Sequence, residues 1–332
     1  MGRNMVRVVL QWGMLLALAL ACAGRTALAA EQDIALATPT GTLSGTLALP
    51  AAAGKPVVVL IVAGSGPTDR DGNTPMAGGR NDSLKMLAAV LERDGFASVR
   101  YDKRGIGASR AAGPAESALR FGAYVDDAVA WIAQLKADPR FASVVVLGHS
   151  EGSMIGMLAA RQAGAAAFVS IAGIADTPAT VLRTQLAGKL PPALAEASER
   201  ILAGLERGET SADVPPALAM LYRPSVQPYL ISWLKVAPAR EIAALRVPVL
   251  IVQGSTDIQV DVGQARRLGA AQPDARLVVI DGMNHVLKAV PADPQRQLAS
   301  YGDPALPLHP QLAATIAGFL RGLPQQDASA LN

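Results

Sequence analysis

Val144-Val145-Val146-Leu147-Gly148-His149-Ser150-Glu151-Gly152, followed by Ser153-Met154-Ile155-Gly156-Met157-Leu158-Ala159-Ala160, is the stretch on which the reading of this chain turns. The unbroken apolar run before Gly148 predicts a strand buried on both faces. The residues after Gly152 predict a helix. Only a very tight turn fits between the two, and Ser150 at its apex must take a strained backbone conformation. Gly148 and Gly152 lack the side chains that would hold strand and helix apart. Ser150 then stands at the top of a sheet with a helix N-terminus beneath it, a place that favours developing negative charge. The pattern G-x-S-x-G also arises by chance as a glycine-rich turn with a solvated serine. The rest of the chain decides between these readings.

Outward from this stretch, strands and helices alternate. Residues 34–49 alternate loosely in polarity, with Gly41 and Gly45 as breaks, and predict one or two antiparallel edge strands. Residues 57–63, 97–101, 167–172, 247–252 and 277–280 are short apolar, β-branched runs, read as buried strands. A helix is predicted from a cap at Asn81 or Asp82 to about Arg93. Tyr124, Ala128, Trp131, Ile132 and Leu135 fall on one helical face. Gly164 is placed to end the helix after Ser150, and residues 312–320 form a closing helix. This alternation predicts a mostly parallel α/β sheet covered on both faces. Residues 177–240 break the rhythm. They are helical and punctuated by Pro191, Pro192, Pro215, Pro216, Pro224, Pro228 and Pro238, and they predict a helical lid inserted into a core made of residues 30–176 and 241–332.

The chain has 332 residues, 51% hydrophobic and 17% charged, enough for a large core. Its formal charge of +3 belongs to its first 29 residues, which hold Arg3, Arg7 and Arg25 and no acid; beyond them 27 basic residues face 27 acidic ones. No electrostatic footprint for nucleic acid remains. Those 29 residues read as a secretory signal peptide: a charged start, an apolar stretch over 8–21 that is short for a membrane span, and Ala27-Leu28-Ala29 as the cleavage site. The expectation is an exported protein, periplasmic or secreted, with no membrane span in the mature chain. Ala19-Leu20-Ala21-Cys22 offers a weaker lipoprotein alternative. Cys22 is the chain's single cysteine, so the mature protein is expected to have neither disulfides nor thiol chemistry.

A serine nucleophile needs a base within hydrogen-bond reach and a group that orients the base. The chain has three histidines. His149 is adjacent to Ser150 on a tight turn and points elsewhere. His309 starts the last helix. His285, in Asp281-Gly282-Met283-Asn284-His285, follows a strand at its carboxyl end, where α/β sheets place their sites, and is the expected base. The expected acid is Asp257, in Gln253-Gly254-Ser255-Thr256-Asp257, which gives the chain order serine, acid, histidine. Asp176, at the end of another strand, competes for that role; Asp281 lies too near His285 in sequence. An oxyanion would be held by the backbone N–H of Glu151 and by that of Ser65, with Gly66 next, in the loop Gly64-Ser65-Gly66-Pro67. Gly64-x-Gly66 fails as a dinucleotide fingerprint, because Asp69 fills the third glycine position. Asp69-x-Asp71-x-Asn73 fails as a calcium loop, because Thr74 and Arg80 replace its glycine and glutamate. Asp69, Arg70 and Asp71 are read as a cluster that fixes the loop, and the Asp102–Ser109 stretch as a tight turn beside the site. No metal and no cofactor are expected.

Together, Gly64-Ser65-Gly66-Pro67, the D-x-R-G-x-G-x-S turn from Asp102 to Ser109, the G-H-S-E-G turn, the Q-G-S-T-D acid loop and the G-M-N-H histidine loop resemble the α/β-hydrolase superfamily. They are most similar to secreted bacterial carboxylesterase-like serine hydrolases. The resemblance implies an α/β-hydrolase fold: an eight-stranded, mostly parallel sheet, its second strand antiparallel, with a helical cap over the site. It implies a serine hydrolase that cleaves carboxylic esters of small or medium acyl chains through an acyl-enzyme, with a small-molecule ester as its partner. Ala63 stands where the H-G-G-G loop of other esterases has histidine, so bulky or tertiary-alcohol esters are not expected. A serine peptidase or aminopeptidase of the same fold is the alternative within the superfamily, and a non-catalytic binding protein the alternative outside it. Met220, Tyr222, Tyr229 and Trp233 are candidates to line an acyl pocket, against the simpler reading that they pack the lid's interior.

Overall fold

The computed structural model describes residues 31–51, 54–75 and 79–324. The expected leader, its cleavage site and Cys22 lie outside the described residues. A hairpin of β1 (Gln32–Thr38) and β2 (Gly41–Ala48) opens the fold. β3 (Val57–Val62), β4 (Ala97–Tyr101), β5 (Ser143–His149), β6 (Ala167–Ile171), β7 (Val249–Gly254) and β8 (Arg276–Ile280) follow. They form one eight-stranded sheet in the order β1-β2-β4-β3-β5-β6-β7-β8. β2 is antiparallel to both neighbours and every other pairing from β4 to β8 is parallel, so one strand runs against the rest. This is the α/β-hydrolase sheet that the motifs implied.

The apolar runs are explained by what lies on the two faces. In β3, Val58, Leu60 and Val62 point into one core layer and Val59 and Ile61 into the other, so alternation has nowhere polar to show. α1 (Ser83–Arg93) and α11 (Pro310–Arg321) cover the second layer through Leu84, Leu87, Leu91, Leu312 and Ile316. α2 (Phe121–Ala137) and α3 (Glu151–Ala163) cover the first. α2 buries Tyr124, Ala128, Trp131, Ile132 and Leu135, the face read from its periodicity. The helices after β3 and β5 thus leave on opposite sides of two adjacent strands. That divergence opens a crevice at their carboxyl ends, the place where such sheets bind ligands.

The start of α1 differs in detail from the expectation. Asp82 occupies the cap position with φ 53°, but its carboxylate turns to Arg80 and Asn73. Asn81 instead accepts from the Ser83 N–H at 3.0 Å. Gly164 ends α3 in the left-handed conformation, φ 66°, as predicted.

Between β6 and β7 the chain forms α4 (Pro178–Leu186), α5 (Pro192–Glu206), α6 (Ala219–Tyr222), α7 (Gln227–Leu234) and α8 (Pro238–Ala243), with no strand among the described residues. Pro178, Pro192, Pro228 and Pro238 all sit in first turns, where a missing N–H costs no helical hydrogen bond. The first four helices build their own small core from Leu182, Ile201, Leu202, Leu205, Tyr222 and Leu230. α8 does not join it. Ile242 packs in the main core and the Ala239 N–H donates to the Ala175 carbonyl, so α8 returns the chain to the sheet.

At the turn after β5, backbone meets backbone. A Cβ on Gly152 would lie 2.2 Å from the Val62 carbonyl oxygen, and one on Gly148 2.1 Å from the Gly152 carbonyl oxygen. Gly152→Ala is therefore expected to destabilise by at least the upper end of the about 1–3 kcal/mol usual for overpacking. Gly318→Ala is the control: that glycine is exposed in mid-helix with nothing within 4 Å of an added Cβ, and the change should stabilise by about 0.5–1 kcal/mol. Urea unfolding of both variants checks the pair of signs.

Candidate active site

Ser150 sits at the apex of the β5–α3 turn with φ 56° and ψ −123°, a conformation rare for a residue with a side chain. Its N–H donates to the Ile171 carbonyl at 2.9 Å, and its carbonyl accepts from the Ser153 N–H at 2.9 Å. These two bonds hold the turn from the neighbouring strand and from the helix. The Ser150 hydroxyl makes no hydrogen bond among the described residues. The loop after β3 passes close by: a Cβ on Gly64 would lie 3.3 Å from the Ser150 Cβ.

His285 and Asp257, from the loops after β8 and β7, meet with Nδ1 of the imidazole 2.8 Å from Oδ2 of the carboxylate. Gln253 donates to the same oxygen at 3.0 Å, and the Gln259 and Val260 N–H groups donate to Oδ1 at 2.8 and 2.9 Å. Burial alone would raise the Asp257 pKa. The His285 charge, the His285 hydrogen bond and the two backbone donors outweigh burial and hold the carboxyl below its ordinary value. The two loops touch because Gly254 has no side chain; a Cβ there would lie 2.0 Å from the Met283 carbonyl oxygen. Asp176, the competing acid, is elsewhere engaged, accepting from Gln264 at 3.0 Å and from Arg267 at 2.9 Å. Asp281 accepts from the Ser255 hydroxyl at 2.8 Å. His309 caps α11, accepting from the Gln311 N–H.

His149 has a place the sequence did not suggest. Its Nε2–H donates to the His285 carbonyl oxygen at 2.8 Å, and the two rings lie 4.9 Å apart. Burial, and after it the His285 charge, push the His149 pKa down to about 4, so the ring stays neutral and its donor tautomer is fixed by that carbonyl. It braces the histidine loop. Adjacency to Ser150 in sequence concealed this, because the partner is 136 residues away.

The Gly64–Pro67 loop is fixed from below. Asp69 Oδ1 accepts from the Asp71 and Asn73 N–H groups, both at 2.9 Å. Arg70 pairs with Asp102 at 2.8 Å, and Asp71 faces Arg100 at 3.2 Å. Asp102 also accepts from the Ala108 N–H at 2.9 Å, which ties in the turn at Gly105–Gly107. Ser65 and Gly66 are exposed, Gly66 with φ 66°. Neither the Ser65 nor the Glu151 N–H donates to any acceptor among the described residues. The Glu151 side chain is buried, with Oε1 accepting from the Tyr229 hydroxyl at 2.6 Å and Oε2 lying 3.5 Å from Lys103 Nζ. Lys103 is 1% exposed and also donates to the Gly64 carbonyl oxygen. Burial lowers the Lys103 pKa and Glu151 draws it back up; burial, and after it Glu151, hold the Tyr229 phenol well above its usual value and so protonated.

The pocket candidates separate. Tyr222 is fully buried in the insertion's own core and bonded to Ser198 at 3.0 Å, so it has no surface to offer a ligand. Tyr229 spends its hydroxyl on Glu151. Trp233 is half-buried between the two cores, and Met220 is 72% exposed. No group of three or more His, Cys, Asp or Glu side chains able to hold a metal occurs among the described residues.

A family model described as "Serine aminopeptidase, S33" (Hydrolase_4) matches residues 79–213, a span that includes Ser150 but neither Asp257 nor His285. Esterase EstD of Thermotoga maritima is 28% identical over 260 residues, 77% of this chain; the chain spans 60% of that relative's length. Among solved structures, the Pyrococcus furiosus esterase PF2001 is similar with a TM-score of 0.57 at 15% identity, over 89% of this chain and 91% of that one. Est1E from Butyrivibrio proteoclasticus, solved with ferulic acid bound, has a TM-score of 0.57 at 18% identity over 86% and 99%. At such identities the two structures speak to fold.

The buried neutral His149 makes stability depend on pH. Its pKa is lower folded, about 4, than unfolded, 6.5, so its contribution is complete above 6.5 and is lost as pH falls toward 4. Urea unfolding at a series of pH values should show the wild-type chain losing on the order of 3 kcal/mol more than His149→Gln across that window.

Proposed function

We propose that this chain, an α/β hydrolase by its sheet order and its strand–serine–helix turn, is a serine esterase that cleaves small or medium acyl esters through an acyl-enzyme. The observation that carries the reading is the 2.8 Å contact between His285 Nδ1 and Asp257, at the strand ends that also present Ser150. Asp257 takes Nδ1–H, which leaves Nε2 unprotonated to accept the Ser150 proton as the hydroxyl attacks the ester carbonyl. Asp257 then stabilises the imidazolium that forms. The Ser65 and Glu151 N–H groups receive the oxyanion, with Gly66 beside them. His285 returns its proton to the leaving alcohol and afterwards activates the water that releases the acid.

The ester reading follows the named activity of the Thermotoga relative. The peptidase reading has the family model's description behind it, but an aminopeptidase needs a free carboxylate to hold the substrate's ammonium. Glu151, the acidic side chain next to Ser150, is already engaged by Lys103 and Tyr229. Export is also part of the proposal, supported by Arg3, Arg7, the apolar stretch after them and Ala27-Leu28-Ala29. No helix among the described residues is long and apolar enough to cross a membrane.

A panel of nitrophenyl esters and aminoacyl-anilides tests the reading. Ester turnover should fall to background in Ser150→Ala, and anilides should be poor substrates. Wild-type turnover equal to that of Ser150→Ala would remove the enzyme reading, and anilide preference would replace the esterase by the peptidase. Asp257→Asn should lower kcat by about 10³–10⁴-fold, whereas Asp176→Asn should leave it within a small factor; the opposite result would reassign the acid.

A further inference from the structure

The buried ammonium of Lys103 has no part in the reaction just described, yet it touches both sides of the site. It donates to the Gly64 carbonyl oxygen on one side and lies 3.5 Å from Glu151 Oε2 on the other. The Gly64–Ser65 peptide is planar and trans, so its carbonyl and its N–H point in opposite directions. A donor gripping the Gly64 oxygen therefore sets the direction of the Ser65 N–H. Glu151 is the residue that supplies the second N–H, and its side chain is pinned between Lys103 and the Tyr229 hydroxyl. One cation thus joins the two peptide units that would hold the oxyanion, one from the loop after β3 and one from the first turn of α3. It sits 5.0 Å from the centre of the Tyr124 ring, whose face favours a cation.

Charge gives a second reason for its presence. A carboxylate buried at the first residue of α3 opposes the growth of negative charge on a nearby carbonyl oxygen. Lys103 offsets that carboxylate, so the two N–H groups act against a background close to neutral.

We propose that Lys103 is a positioning residue for the oxyanion hole: through Gly64 and Glu151 it holds the Ser65 and Glu151 N–H groups in register, and Tyr229 of the insertion completes the arrangement from the other side of Glu151. The proposal rests on the assignment of Ser150 as nucleophile and of these two N–H groups as the oxyanion donors. It concerns transition-state stabilisation and not substrate affinity.

The test is Lys103→Met, with folding checked by thermal unfolding, in two assays: nitrophenyl ester turnover, and the rate at which a fluorophosphonate labels Ser150. Loss of the register should cost roughly as much as loss of one oxyanion donor, about 10²–10³-fold in kcat and in labelling rate, while KM stays within about threefold. A folded variant with unchanged kcat and labelling, or one whose only change is a raised KM, overturns the proposal. If Lys103→Met does not fold, Tyr229→Phe carries the test, with about a tenfold fall in kcat and labelling expected from one lost hydrogen bond to a charged group; no fall overturns it. A wild-type chain that is labelled at Ser150 but hydrolyses no ester would sink the esterase reading and leave labelling to decide on Lys103. Absence of labelling in the wild type would overturn both.

Discussion

After β5 the backbone turns back on itself so closely that carbonyl oxygens occupy the space where two side chains would be, 2.1 Å from a Cβ on Gly148 and 2.2 Å from one on Gly152. Strand, serine and helix can meet in this way only where both flanking residues lack a Cβ. The strain at Ser150 is then carried by its surroundings: the Ile171 carbonyl on one neighbouring strand, the Val62 carbonyl on the other, and the helix that starts at Glu151. The parallel sheet supplies these neighbours, and its two buried faces supply the rigidity. The crevice between diverging helices, and a serine hydroxyl and a Glu151 N–H that have no partner among the described residues, all follow from that one turn.

The parts legible in the sequence were those set by local rules or by scarcity. The β3 and β5 runs declared strands buried on both faces because no position in them tolerates polarity. Three histidines left few bases to choose from, and two of them were excluded by position. The loops after β7 and β8 carried Asp257 and His285 because carboxyl strand ends are where such sheets keep functional side chains. What the sequence hid depends on partners far along the chain. Glu151 meets Lys103 48 residues away and Tyr229 78 residues away, and no spacing rule encodes either contact. His149 was correctly excluded as a base, but its bond to the His285 carbonyl was not foreseeable. The aromatic residues of the insertion looked alike in sequence. Only burial and contacts separate Tyr222, closed in a core of its own, from Tyr229, which reaches Glu151 at the start of α3.

The charged interior of the site is costly, since each buried ion loses its hydration. The structure limits that cost by giving every charge several partners. Asp257 has four hydrogen bonds, from His285, Gln253, Gln259 and Val260. Glu151 has a phenol, an ammonium and the helix N-terminus. Asp257 therefore remains ionised although burial opposes it, and it is oriented toward the imidazole; Glu151 is oriented toward Lys103 and the loop after β3.

The hydroxyl of Tyr229 is the insertion's contribution to the floor of the site. Ser232 accepts from the Phe121 N–H at 2.8 Å, and Glu116 binds Arg223 and Ser225, so this part of the insertion is moored by three side chains to the segment that leads into α2. Helical insertions of this kind would be convenient units for exchange between proteins, each bringing its own specificity to a common sheet. Here that exchange has a condition attached. A foreign insertion without a phenol at the position of Tyr229 would leave one oxygen of Glu151 without its partner, and the disturbance would reach the residue next to Ser150. The insertion and the turn beneath it are bound to change together, and a graft that respects only the chain ends at β6 and β7 would disturb the chemistry as well as the pocket.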